Sequence, residues 1–356
     1  AEGLLRAGAA AVAPNQPYPI VAAGYGPPRP VATGAAAPLT ARAVVLKAGG
    51  VTFGLVSLDL LLVSGELADE VRAKSGLSDA WVVATHTHSG PGGYDERYLA
   101  QLAGTGRFRA DARQAVVTAA VEALKQASAR LSPVSAEAGQ GSSTFSAPRS
   151  GAASDLTLRR LKLGDVAELV LLAAHPTLVP RPAPALHPDY PGLFAGQADA
   201  GVTLVLQGAG GNARADGVTT PEELARRLAT ALEGIALEPL EVPALKVTRV
   251  QLSPPSLDAT RLVPRLFAMP GHNFLCASAP QTAEVGLLKL GSLEVEAVLA
   301  NASAAELGVP VVSLANGYLG YVEPRAVVES RQGESKRQYY DPGLLDAFRA
   351  AIALGR

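Results

Sequence analysis

Short apolar runs alternate along this chain with longer stretches of helical periodicity, and that alternation restricts the fold more than any other feature. A chain so patterned gathers its strands into sheets and covers them with helices, the α/β solution. Residues 41–47 and 51–59 read as strands joined through Ala48-Gly49-Gly50 as a hairpin. Gly65–Ser75 reads as a helix, and Ala80–Ala84 as a short buried strand entering a histidine-rich loop. Residues 110–131 form the longest predicted helix, with Val117, Val121, Leu124 and Leu131 on one face. Residues 156–163, 167–174, Val202–Gln207, 285–290 and 293–299 read as further strands. A helix begins at Thr220, which pairs with Glu223 as a capping box; Pro221 suits the first helical position and Gly234 closes the end. A terminal helix follows at 346–354. The Pro/Gly-rich stretches 26–38 and 176–192 are loops inside the fold, because strands continue on both sides of each. No repeat divides the chain. The expectation is one domain over residues 1–356, with two packed mixed β-sheets flanked by helices.

Several function classes fall away on composition. Hydrophobic residues make up 48% of the 356, enough for a large core, and the net charge of −1 gives no basis for nucleic-acid binding. A lone cysteine, Cys276, excludes an internal disulfide and a cysteine-rich metal site. No apolar run reaches the roughly 18 residues that a membrane-spanning helix needs; the longest candidate, 55–63, is broken by Ser57 and Asp59. The chain opens at Ala1 without methionine, the pattern left by a removed leader, so a periplasmic or secreted location is expected.

Candidate chemistry gathers at the five histidines. Two sit in Thr85-His86-Thr87-His88-Ser89-Gly90-Pro91-Gly92-Gly93, directly after a buried strand. Residues two apart on an extended chain point to one side, so His86 and His88 are placed to converge, and neutral imidazole suits zinc. Hydrogen-bonded loop histidines are the equally weighted alternative at this point. His175, in Ala174-His175-Pro176-Thr177, ends another buried strand, where active-site loops start in layered α/β folds. Taken alone, His175 and His187, in His187-Pro188-Asp189, are each more often structural than functional, and His272 carries no usable pattern. Asp59, inside an apolar strand, needs a partner if buried; a backbone hydrogen bond is favoured over orienting a ligand histidine. Gly208-Ala209-Gly210-Gly211-Asn212 lacks the Lys-Ser/Thr pair of a phosphate loop, and no Gly-x-Ser-x-Gly elbow occurs. Asn316-Gly317-Tyr318-Leu319-Gly320-Tyr321 is a glycine-loosened loop presenting two tyrosines.

Taken together these segments resemble the catalytic domain of the neutral/alkaline (non-lysosomal) ceramidases. Thr85–Gly93 looks like that family's histidine motif, 174–177 like the segment bearing its second zinc histidine, and 316–321 like its tyrosine-ligand loop. Ala23-Gly24-Tyr25-Gly26, Ala41-Arg42-Ala43 and Ser57-Leu58-Asp59 fall in the family's order upstream, so the resemblance runs from about residue 5 to about residue 335. It implies a ceramidase-like fold, zinc held by His86, His175 and Tyr321, His88 as acid/base beside it, and Arg149 holding substrate. It further implies hydrolysis of an N-acyl amide, ceramide or a related lipid, reached at the periphery of a membrane. The larger enzymes' C-terminal β-domain has no counterpart.

The departures from the family pattern are specific. The expected glutamate ligand aligns with Ala302, with Glu306 as a substitute one helical turn on, so zinc would be held more weakly. The family's Gly-Asp becomes Gly211-Asn212, its upstream His-Asp becomes Ala36-Ala37, and a tyrosine aligns with Gly333, with Tyr339 and Tyr340 close by. Two readings remain: a zinc-dependent amide hydrolase, and a lapsed member that binds a ligand without turnover.

Overall fold

The computed structural model describes residues 4–149, 154–198, 201–258, 279–280, 282–298, 301–302, 307, 310–331 and 333–356. His272, Cys276 and Glu306 lie outside them.

The first sheet has the strand order Ala80–Ala84, Val51–Leu58, Ala41–Ala48, Arg6–Val12, Ser132–Pro133. Its hairpin turns at Gly49 and Gly50, whose φ of 56° and 81° belong to the left-handed region that glycine enters without cost. Val51–Leu58 and Ala80–Ala84 run parallel, joined through the helix Gly65–Ser75. That helix starts where the Ser64 hydroxyl accepts from the Leu67 amide and stops at Gly76, left-handed at φ 76°.

The second sheet runs Val202–Gln207, Ala167–Leu172, Thr157–Leu163, Ala136–Ser142, Glu238–Pro239. It too carries one parallel pair, Ala167–Leu172 with Val202–Gln207, crossed by the helix Asp189–Ala195. Both predicted mixed sheets are therefore present. A third sheet, Leu245–Leu252, Ala283–Leu290, Leu293–Ala297 and Val311–Val312, joins them.

Alternation along each strand decides the layering. Val44, Leu46, Phe53, Leu55, Trp81 and Val83 face inward, against Leu163, Leu171, Leu204 and Leu206 of the second sheet and Leu245, Leu290 and Val312 of the third. The residues between them, Ala43, Val45, Val56, Leu58 and Val82, face outward onto Val116, Val117, Ala120 and Leu124 of the helix Ala110–Ala129. The second sheet's outer face packs Leu158, Val170 and Val205 on Tyr190, Leu224 and Leu228. The third packs Val285 and Leu287 on Leu344, Phe348 and Ile352 of the helix Leu344–Gly355. The helix Pro221–Glu233 begins as expected, with the Thr220 hydroxyl accepting from the Glu223 amide at 3.2 Å. Its return bond differs: the Glu223 carboxylate accepts from Thr219 rather than Thr220, and Gly234 closes the helix in right-handed geometry. Among the described residues no helix is long and apolar enough to cross a membrane.

Candidate metal and catalytic site

The carboxyl ends of the parallel strands meet on one side of the molecule, where ligands bind in open α/β sheets. His86 and His88 follow Ala80–Ala84, His175 follows Ala167–Leu172, and the Gly208–Asn212 loop follows Val202–Gln207. Tyr321 enters beyond the third sheet, in the short strand Tyr321–Val322, which pairs in parallel with Asn301–Ala302.

The histidine loop is not extended. His86 sits at φ 69°, in the left-handed region that a side chain other than glycine rarely occupies. The Leu60 carbonyl holds it there by accepting from the His86 amide at 2.9 Å, and Thr85 is bonded to Leu58 in the same way. Simple strand alternation is thus not what brings His86 and His88 together; a backbone turn does, and it concentrates strain at the site. His187 proves to be a brace for this loop: its carbonyl accepts from the Thr87 hydroxyl, its amide donates to Ser89 and its Nδ1 accepts from the Asp189 amide.

Each of the three clustered imidazoles rests its Nδ1 on a backbone carbonyl. His86 reaches Leu61 at 2.6 Å, His88 reaches Gly24 at 2.9 Å and His175 reaches Gly210 at 3.2 Å. A carbonyl can only accept, so each Nδ1 carries the proton and each Nε2 the lone pair. The three Nε2 atoms point toward one another: His86 and His175 are 3.1 Å apart, His86 and His88 3.4 Å, and all three groups lie within 4.8 Å. The Tyr321 hydroxyl comes within 3.4 Å of His175 Nε2. Two nitrogens bound to one tetrahedral zinc at about 2.0–2.1 Å are about 3.3 Å apart. The cluster therefore has the donor type and spacing of a metal site, since converging lone pairs repel without a cation between them.

Electrostatics point the same way. Burial removes the water that would solvate an imidazolium and lowers the His86 pKa to about 4, against a partial opposing effect of the Leu61 carbonyl. Burial likewise holds His88 and His175 well below the ordinary histidine range, with the neighbouring His86 adding to it. Neutral imidazole is the form a metal needs. Burial pushes the Tyr321 phenol up to about 12, while the nearby Arg149 works in the other direction.

Arg149 is anchored through its amide to the Asn212 carbonyl, and its guanidinium meets Glu334 at 3.2 Å and the Tyr321 hydroxyl. The Gly208–Asn212 loop, which carries no phosphate-binding signature, thus fixes His175 through Gly210 and Arg149 through Asn212. Asp59 does not orient a histidine. It accepts from the Thr40 amide at 2.9 Å, as favoured from sequence, and forms a buried ion pair with Arg42 at 3.0 Å. Sequence reasoning missed the second ring of groups: the Gly24, Leu61 and Gly210 carbonyls, and Tyr25, Arg181, Arg337 and Glu334. Gly24 and Tyr25 lay in one segment already singled out and Gly210 in another, without this role being read from them.

Residues 16–153 match the family model for neutral/alkaline non-lysosomal ceramidase, N-terminal. Over those residues the chain is similar to that ceramidase family. Its fold agrees with a solved neutral ceramidase from Pseudomonas aeruginosa at a TM-score of 0.81 and 18% identity, over 99% of this chain and 75% of that one. A ceramidase complexed with C2 gives a TM-score of 0.85 at the same identity and coverage. No curated protein sequence matches.

Proposed function

We propose that this protein is a zinc-dependent amide hydrolase acting on an N-acyl amide, ceramide or a related lipid. The observation that carries the reading is the convergence of the His86 and His175 Nε2 lone pairs, 3.1 Å apart, with the Tyr321 hydroxyl 3.4 Å from His175 and the His88 imidazole beside them. His86, His175 and Tyr321 would hold the metal. Zinc bound there supplies Lewis acidity, making water a competent nucleophile near neutral pH. His88, fixed through Nδ1 on the Gly24 carbonyl, keeps Nε2 over the same point; it takes a proton from the attacking water and returns it to the departing amine. Arg149, anchored on Asn212 and beside Tyr321, orients the acyl carbonyl. Residues 1–356 act as one unit in this reading, outside the cytoplasm, meeting the lipid at the periphery of its membrane.

A second reading has its own observation. The residue aligned with the family's glutamate is Ala302, while His88 Nε2 lies 3.4 Å from His86 Nε2, inside metal-ligand spacing. If His88 serves as the third ligand, the proton shuttle is consumed and the protein binds a ligand without turnover. Elemental analysis of protein purified without chelator, with an assay of fatty-acid release from an N-acyl amine, separates the two. In the hydrolase, His175→Ala loses zinc, whereas His88→Ala keeps it and loses about 10²- to 10⁴-fold in rate. Zinc loss in His88→Ala favours the second reading, and full zinc in His175→Ala rejects the site.

A further inference from the structure

The groups around the histidine cluster have an uneven charge. Arg149 stands beside Tyr321 and shares Glu334 with Arg337, at 3.2 Å and 2.9 Å, so two cations divide one carboxylate. On the other side the Arg181 guanidinium lies over the Tyr25 ring, 2.7 Å from its centroid, and that ring tilts against His88 at a centroid distance of 5.0 Å. Asp189, the acid that faces Tyr25, is turned to the backbone and accepts from the Leu178 and Tyr190 amides. Arg181 and Arg337 are exposed, so they stand at the mouth of the site with the buried histidines behind them, and of the two Arg181 has no carboxylate paired with it among the described residues.

We infer that the occupant carries a carboxylate close to its amide, as an N-acyl amino acid does, with Arg181 receiving that carboxylate and Arg149 left to the acyl carbonyl. The proposal rests on the amide-hydrolase reading for turnover, though not for binding. Only the Tyr25 ring separates the Arg181 guanidinium from His88. The anion must therefore lie within a few bonds of the scissile C–N bond, which an α-carboxylate does. Hydrolysis adds the oxygen of water to the acyl carbon and breaks the C–N bond. The water's proton passes to the nitrogen, and a fatty acid and a free amino acid leave.

The test compares N-dodecanoylglycine with N-dodecanoylethanolamine, equal in chain and different in charge. Their non-hydrolysable sulfonamide counterparts, N-dodecylsulfonylglycine and N-dodecylsulfonylethanolamine, serve as binding probes for the metal-loaded protein. The glycine member is expected to win by about 10-fold or more, both in kcat/KM and in calorimetric affinity. Arg181→Gln should cut that ratio by about 10-fold and Arg181→Lys should restore part of it, which mere misfolding would not produce. Equal affinity for the two sulfonamides overturns the inference, whatever the turnover. Preserved binding preference with neither amide hydrolysed upholds it and removes the hydrolase reading. Faster hydrolysis of N-dodecanoylphosphoethanolamine than of the glycine conjugate overturns the assignment to a carboxylate.

Discussion

Each imidazole of the cluster is fixed by a single hydrogen bond from Nδ1 to a carbonyl of a different segment, and that choice sets its chemistry. Protonating His86 would place a charge in a site 4% exposed, beside two other imidazoles. In the unfolded chain the same histidine takes its proton near pH 6.5. The unfolded state therefore binds more protons between pH 6.5 and 4, and stability falls as the pH drops through that window. The contribution is complete above pH 6.5 and amounts to about 3 kcal/mol for His86. Urea unfolding of metal-free protein at pH 7 and pH 4.5 should show a loss larger than this, because His88 and His175 are shifted in the same direction, and His86→Gln should reduce it by the His86 share. An unchanged difference in His86→Gln would place the acid sensitivity elsewhere.

At the level of elements, the local patterns in the sequence anticipated most of what formed. Gly65–Ser75, Ala80–Ala84 and Val202–Gln207 have the expected bounds, because apolar period and capping residues act within a few neighbours. The strand expected at 167–174 stops at Leu172, which leaves His175 outside the ladder, in an isolated bridge with Arg214. Strand Asn301–Ala302 runs parallel to Tyr321–Val322, so the segment aligned with the family's missing carboxylate does lie against the tyrosine strand. Ala302→Glu is expected to tighten zinc binding by more than the roughly 10- to 100-fold that an outer-sphere change produces. A hydrolase adapted to three protein ligands should lose activity on that change; a lapsed member should gain metal. Unaltered zinc affinity, measured by competition with a chromophoric chelator, would show that the ligand was lost at another position.

Across the whole molecule, Arg42 and Asp59 tie the first sheet to the helix covering the second. Their side chains are 7% and 1% exposed, and Arg42 also donates to the Gly192 carbonyl at 3.3 Å. Removing one partner leaves the other charge buried and unpaired, so Asp59→Asn should cost about 3–5 kcal/mol in urea unfolding. The double change Arg42→Met with Asp59→Leu should cost less than Asp59→Asn alone, because no charge is stranded. A single-variant cost below about 1 kcal/mol would mean that water reaches the pair. The sequence by itself determined the α/β class, the mixed sheets and the identity of His86, His88 and His175, since periodicity and motif spacing are local. Only the tertiary structure decided the left-handed turn at His86, the carbonyls that set each tautomer and the arginines around the cluster. Those come from Gly24, Leu61, Gly210, Arg181 and Arg337, which are far apart in the chain. Only the packing of three sheets on a shared core brings them to one point.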